Sequence, residues 1–241
     1  MSDIKLLIII PAYNEEASLT GVVEDIEKHC PEHDYLIVND GSTDGTAGLC
    51  AAKGYNLLDL PVNLGLTGAF QAGMLYAYER GYDAAMQFDG DGQHRAEYVP
   101  RLLKELGRGC DIVIGSRFVT AKKPLTLRMA GSYLISFAMR FTTGVRICDP
   151  TSGMRLFDRD VLERFATDLN YAPEPDTISY LIRCGAKVKE VQVEISERKL
   201  GKSYLTLMKS VAYMVQITFS ILLIQWFRRN DLKKERKKKI D

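Results

Sequence analysis

Ala84-Ala85-Met86-Gln87-Phe88-Asp89-Gly90-Asp91-Gly92-Gln93-His94 is the stretch on which the fold of this chain turns. Its first five residues read as a short strand buried on both faces. Two carboxylates one residue apart follow at the strand's C-terminal end. Oxygen ligands in that spacing suit Mg²⁺ or Mn²⁺, cations that commonly hold a substrate's phosphates as well. The same letters also compose an ordinary Asp-Gly turn. The rest of the chain has to choose between the two.

Working outward, short apolar runs at Ile4–Ile10, Tyr35–Val38, Tyr55–Leu60 and Asp111–Ile114 join Ala84–Phe88 as expected strands. Helical patterns over Ala17–Lys28, Thr46–Lys53, Thr67–Arg80 and Tyr98–Leu106 alternate with them. Such alternation predicts an α/β fold with a mostly parallel sheet and helices on both faces. Ligands of such sheets bind beyond the carboxyl ends of the strands. Four polar loops fall there: Pro11–Glu15, Asn39–Thr46, Asn63–Gly65 and Asp89–Gln93. One would be punctuation, whereas four on one edge make a site. In the second, Asp40 is placed to accept from a base N–H or a ribose hydroxyl, and Ser42 or Thr43 to cap the next helix. Strand one leads into Pro11-Ala12-Tyr13, not a Gly-x-Gly-x-x-Gly turn, and no Walker-type phosphate loop occurs.

The bulk numbers agree with a globular domain: 241 residues, 46% hydrophobic and 26% charged. The net charge of +1 hides a basic end. Eight Lys/Arg against three Asp/Glu lie between Arg228 and Asp241. Five scattered cysteines predict reduced thiols, with neither a disulfide framework nor a zinc site. The apolar run begins almost at once, which predicts no signal peptide.

In combination these residues resemble the inverting family 2 glycosyltransferases of GT-A (Rossmann-like) fold. Those of the first half are Pro11-Ala12-Tyr13-Asn14-Glu15-Glu16, Asn39-Asp40-Gly41-Ser42-Thr43-Asp44-Gly45-Thr46, Asn63-Leu64-Gly65 and Phe88–His94. Gly115-Ser116-Arg117, Asp149–Arg155 and Glu197-Arg198 with Gly201 and Ser203 are similar to the dolichol-phosphate mannose synthase branch, which includes bacterial polyprenyl-phosphate glycosyltransferases. The resemblance implies that Pro11, Tyr13, Glu15 and Asp40 line a pocket for base and ribose. It implies Mg²⁺ or Mn²⁺ on Asp89 and Asp91, with Gln93 as a further ligand or partner. Arg117, Arg128 and Arg198 would pair with the phosphate of a polyprenyl phosphate acceptor, with Lys202 and Ser203 beside it. Arginine suits that role because its fork meets phosphate oxygens bidentately. The chain departs from the branch at Tyr204, where a lysine commonly stands, and lacks the lysine that some members carry after Asn63-Leu64-Gly65.

Glu174 and Asp176 are alternative bases for a hydroxyl acceptor, although Pro173 and Pro175 beside them predict a solvated loop. His94 is expected to be structural. Helix Leu125–Phe141 carries Arg128 and Arg140 on an apolar body, and Lys187–Val193 reads as a further strand. Val211–Phe227 is an uncharged run, about 25 Å long as a helix and so short of a hydrocarbon core of roughly 30 Å. A buried core helix is the plain reading of such a length. Trp226, Arg228-Arg229 and the basic end instead predict membrane association, lying in the interface with spanning as the alternative, and no role for nucleic acid.

The expected organisation is therefore a GT-A domain over residues 1–205, a membrane-associated helix over 206–229 and a basic tail over 230–241. The expected activity moves a sugar from a GDP- or UDP-sugar to a polyprenyl phosphate at the cytoplasmic face of the membrane. Transfer to a sugar or glycan hydroxyl, nucleotidyl transfer, and a non-catalytic nucleotide-sugar sensor are the rivals.

Overall fold

The computed structural model describes residues 4–168, 171–196 and 207–223. Its centre is a seven-stranded sheet: β1 (Leu6–Ala12), β2 (Asp34–Asn39), β3 (Leu57–Asp59), β4 (Ala84–Gln87), β5 (Ile112–Ser116), β6 (Arg155–Asp158) and β7 (Val188–Gln192), in the order β3-β2-β1-β4-β6-β5-β7. Around it lie α1 (Glu16–His29), α2 (Thr46–Lys53), α3 (Gly65–Glu79), α4 (Val99–Leu106), α5 (Leu127–Thr143), α6 (Arg159–Thr167), α7 (Pro175–Arg183) and α8 (Leu207–Leu222).

Alternation along β1 shows why helices cover both faces. Leu6, Ile8 and Ile10 join one apolar core with Val22, Val23 and Leu102, whereas Leu7 and Ile9 join another with Phe70, Met74 and Phe157. A strand apolar at every position is buried on both sides, as successive side chains point to opposite faces.

The expected mostly parallel sheet is present, with one element that the sequence pattern did not disclose. β6 runs antiparallel between β4 and β5, placing Arg155 opposite both Gln87 and Ile114. Because it runs the other way, β6 begins at the edge where β4 and β5 end. The Asp149–Met154 turn is thereby delivered to that edge. Only four residues long and charged at both ends, β6 has no apolar alternation to announce it. The amphipathic α6 and α7 that follow were also not foreseen. Asp158 caps α6 by accepting from Val161 N at 2.9 Å, and Pro175 opens α7, a position that proline tolerates well.

Two local expectations are corrected. The third helix starts at Gly65 instead of Thr67, and α5 runs from Leu127, its N-cap Thr126 accepting from Met129 N at 3.3 Å. Residues 224–227 of the predicted uncharged helix lie outside the described residues; its described part belongs to α8, which starts earlier, at Leu207, and includes Lys209. It packs against α5 and α7 with Ile217 and Ile221 buried. A methyl group on Gly131 of α5 would overlap the Met214 sulfur of α8, so only glycine lets the two helices approach this closely. No helix among the described residues is long and apolar enough to cross a membrane.

At the sheet edge remote from the site, burial raises the Asp158 carboxyl to about 7, with Asp111 and Asp160 adding to the shift. A native carboxyl that holds its proton more tightly than the unfolded one loses stability as pH rises from about 4 to about 7. Asp158→Asn keeps a capping side chain and cannot ionise. Thermal melts should therefore show the variant more stable than wild type at pH 8, with the gap closing near pH 4. A gap independent of pH would contradict this assignment.

Candidate active site

The loops at the carboxyl edge are tied together by their own polar side chains. Asn14 adopts a left-handed conformation (φ 56°), which asparagine tolerates better than most residues. Its Oδ1 accepts from Thr43 N (2.8 Å) and Asp44 N (3.3 Å), and its N–H donates to Ser42 Oγ (2.9 Å). Ser42 and Thr43 thus bind the first loop and do not cap α2 as expected. The N-cap of α2 is Gly45, while Asp44 Oδ1 accepts from Thr46 N at 3.0 Å. Asp40 is buried, and its Oδ1 accepts from Leu64 N at 2.6 Å, joining the second loop to the third. Ser18 Oγ lies 2.8 Å from both Glu15 Oε2 and Gly90 O, joining the first loop to the fourth.

The Asp89-Gly90-Asp91 segment follows β4 directly. Asp89 N–H donates to His94 Nδ1 at 3.1 Å, which places the ring proton on Nε2, 3.6 Å from Asp89 Oδ2. His94 is buried edge-on against Phe88, so it acts on the site by holding Asp89. Asp91 Oδ1 accepts from Gln93 N at 3.0 Å. Gln93 exchanges with the chain after β7, where Ser196 N donates to its carbonyl at 2.9 Å. Gly153, brought in by β6, completes the setting: a methyl there would overlap the Asp89 carboxylate. Among the described residues no group of three or more His, Cys, Asp or Glu is placed to hold a metal. Two carboxylates of this kind fit Mg²⁺ or Mn²⁺ only where phosphate oxygens and water fill the remaining positions.

A cavity of about 720 Å³ opens beside this segment. It brings Asp89 and Gln93 together with Arg117, and with Gln87, Ser132, Arg155, Glu174 and Tyr213, which sequence patterns did not single out or did not favour. Pro11, expected in the first loop, is instead the penultimate residue of β1; Tyr13, Glu15, Asp40 and Asp91 lie on the adjoining loops, and none of the five is in the cavity wall. Arg128 is in the first turn of α5. Arg198, Lys202 and Ser203 fall outside the described residues.

Arg117 is already half engaged. Its Nε and Nη2 donate to Asp149 Oδ2 (2.7 Å) and Oδ1 (2.8 Å), and its backbone N–H to Oδ2 at 3.1 Å. Asp149 is fully buried, and these hydrogen bonds raise the Arg117 pKa further. The Asp149 turn is itself pinned by Glu190 of β7, whose carboxylate accepts from Cys148 N (2.7 Å) and Asp149 N (2.8 Å). The Nε edge of the guanidinium is committed to Asp149, and Nη1 with the outer side of Nη2 remains for the phosphate contact that the resemblance implies. Nearby, Lys123 Nζ donates to Ser132 Oγ (2.6 Å) and Cys148 O (3.1 Å). Burial pulls its pKa down.

The solvated-loop expectation for Glu174 and Asp176 also fails. Glu174 stands just before α7 in the cavity wall, and burial followed by the nearby Asp176 charge raises its pKa. Asp176 lies inside α7 and accepts from Ser220 Oγ of α8 at 2.7 Å. The signal available in sequence was Pro175 itself, which opens helices as readily as it marks loops.

The family model described as glycosyl transferase family 2 matches residues 7–165. An undecaprenyl-phosphate mannosyltransferase from Micrococcus luteus is 35% identical over 211 residues, covering 83% of this chain and 86% of that protein. A polyprenol monophosphomannose synthase from Mycolicibacterium smegmatis is 34% identical over 212 residues, covering 83% and 80%. Among solved structures, glucosyl-3-phosphoglycerate synthase from Mycobacterium tuberculosis, in complex with Mn²⁺, UDP-glucose and phosphoglyceric acid, superposes with a TM-score of 0.66 at 20% identity, covering 93% of this chain and 80% of that one. Its likeness extends to the fold, a GT-A-like mixed sheet flanked by helices, while the sequence matches extend to the family: this chain belongs to glycosyl transferase family 2.

Proposed function

We propose that this glycosyltransferase moves a sugar from a GDP- or UDP-sugar to a polyprenyl phosphate at the cytoplasmic membrane face, inverting the anomeric centre. The observation that carries the reading is one cavity with a carboxylate of the Asp89/Asp91 pair at one side and Arg117, locked by a buried aspartate, at another. The polyprenyl-phosphate relatives support the acceptor class. Asp89 and Asp91, with Gln93 beside them, would hold Mg²⁺ or Mn²⁺, which neutralises a donor diphosphate when bound. Pro11, Tyr13, Glu15 and Asp40 flank the place for the nucleoside.

The residues account for the chemistry. A phosphate monoester is already anionic near neutral pH, so its oxygen attacks the anomeric carbon without a strong base. The bond from that carbon to the diphosphate oxygen breaks, and its electron pair leaves with the nucleoside diphosphate. The protein's work is to bring two anions together and hold them aligned. Arg117 suits this task because Asp149 fixes its plane while leaving donors exposed. Lys123, with Arg198 and Lys202 from outside the described residues, supplies further positive charge.

Transfer to a sugar hydroxyl is the second reading, favoured by Glu174: a carboxyl of raised pKa in the cavity wall is a competent base. Membrane attachment draws on two helices. Tyr133, Phe137 and Phe141 on α5, and Val215 and Phe219 on α8 with Leu223 just past its end, recur at i,i+4 spacing and are all exposed. These stripes suit the interfacial zone of a bilayer.

Purified protein with Mn²⁺, a panel of GDP- and UDP-sugars and polyprenyl phosphate in detergent should release nucleoside diphosphate and form lipid-linked sugar. Activity with hydroxyl acceptors alone would replace the lipid reading by the second. Asp91→Ala should lower turnover by about a thousand-fold or more; near-normal rates at saturating metal would contradict its role. Asp149→Asn should lower kcat/KM for the lipid phosphate about a hundred-fold through misplacement of Arg117, while KM for the sugar nucleotide stays within about threefold. Sedimentation with anionic vesicles tests attachment: the triple variant Phe137→Ser/Phe141→Ser/Phe219→Ser should bind at least about tenfold more weakly. Unchanged binding would transfer the role to the basic tail.

A further inference from the structure

Two polar atoms at the floor of the cavity have no hydrogen-bond partner among the described residues: Gln87 Oε1 and Arg155 Nε. Both side chains are 2% exposed, and both line the cavity. They are neighbours by construction, because β4 and β6 pair with Gln87 opposite Arg155. Directly opposed residues project to the same face of a sheet.

The other polar atoms of the pair are in use, which defines what is left over. Gln87 Nε2 donates to Asp89 Oδ1 at 3.3 Å, an orientation that leaves Oε1 as the vacant acceptor. Arg155 Nη1 donates to Pro173 O at 2.6 Å and Nη2 to Pro150 O at 2.8 Å. Its Nε–H is the vacant donor. Buried groups of this kind are costly to leave unsatisfied.

The chemistry of a partner follows. An anion would satisfy Arg155 Nε and be repelled by Gln87 Oε1; a cation would do the reverse. A hydroxyl donates and accepts through one oxygen and answers both. In the glycosyl-transfer reading above, on which this inference rests, the diphosphate belongs at Asp89 and Asp91 and the acceptor phosphate at Arg117. The transferred sugar is the group that must lie between them, and its hydroxyls are the neutral groups available at the floor. We propose that Gln87 Oε1 and Arg155 Nε together recognise one hydroxyl of the transferred sugar, so that this pair determines donor-sugar specificity.

Calorimetric titration of the full chain with Mn²⁺ and no acceptor tests this. The probes are UDP, GDP, UDP-glucose, GDP-mannose and the monodeoxy analogues of whichever sugar nucleotide binds. In wild type, one monodeoxy analogue should bind about ten- to a hundred-fold more weakly than its parent. Gln87→Met should weaken the parent sugar nucleotide by a similar factor and leave the nucleoside diphosphate within about twofold. The same analogue should then show no further loss against the variant. Arg155→Lys, which keeps the charge and removes Nε, should lose discrimination at the same hydroxyl.

Equal weakening of nucleoside diphosphate and sugar nucleotide by Gln87→Met would overturn the proposal, since Gln87 would then act only through Asp89. So would a wild type indifferent to every deoxy position, which would mean that an internal water satisfies the pair. The wild-type series decides the matter even if neither variant folds, with thermal melts as the control. Binding that discriminates a hydroxyl, with no lipid-linked product, would sink the transfer reading and leave this assignment standing. Failure of every sugar nucleotide to bind would overturn both.

Discussion

The backbone pairing between β4 and β6 sets the terms for the rest of this molecule. β4 ends in the carboxylate segment, and β6 opens at the same edge because it runs antiparallel to it, with Gln87 facing Arg155. That one register brings the turn from Asp149 to Met154 against residues some sixty positions earlier in the chain. Gly153 can then lie against the Asp89 carboxylate, a contact that any side chain would break. The same strand pairs on its other side with β5, so the turn that follows β5 carries Arg117 within reach of Asp149. A slip of one residue would turn every side chain of β6 to the opposite face. The cavity is thus a consequence of strand order before it is a collection of side chains.

Charge in this region is organised by partial commitment. Asp149 is fully buried and survives there because three donors of Arg117 surround it. Glu190 spends its carboxylate on two backbone N–H groups and so fixes the turn from below. Arg155 is held by two carbonyl oxygens, with no carboxylate within ion-pair distance among the described residues. Each cation facing the cavity therefore keeps some unspent hydrogen-bonding capacity while its plane is fixed. Such preorganisation suits a transfer between two anions, where alignment contributes more than acid or base strength.

α8 contributes both to the cavity and to the surface proposed to meet the membrane. Its buried side meets α5 and α7 and places Tyr213 and Met214 in the cavity wall, whereas Val215 and Phe219 face outward. Burial and the nearby Glu174 raise the Tyr213 pKa, so its phenol stays neutral. A helix read from its composition as a membrane contact is also part of the site's enclosure.

Much of the first half was legible along the chain. Apolar runs such as Leu6–Ile10 are local patterns, and the polar loops after β1, β2 and β4 announce their position because a parallel sheet puts such ends on one edge. Asp89 and Asp91 stand in one of those loops, whereas Arg117 was reached only through a resemblance carried by ordered motifs. The second half was not. Arg155-Leu156-Phe157-Asp158 has no periodicity, and its role exists only once β4 and β5 are there to receive it. That Asp149 occupies an edge of Arg117, that Glu174 lines a cavity and that Gln87 and Arg155 share its floor are facts of distance between segments remote in sequence. Local pattern determined which elements form and where their polar ends gather. Tertiary packing alone decided which of those polar groups are spent on the protein and which are left for a substrate, because hydrogen-bond partners are settled by proximity in space.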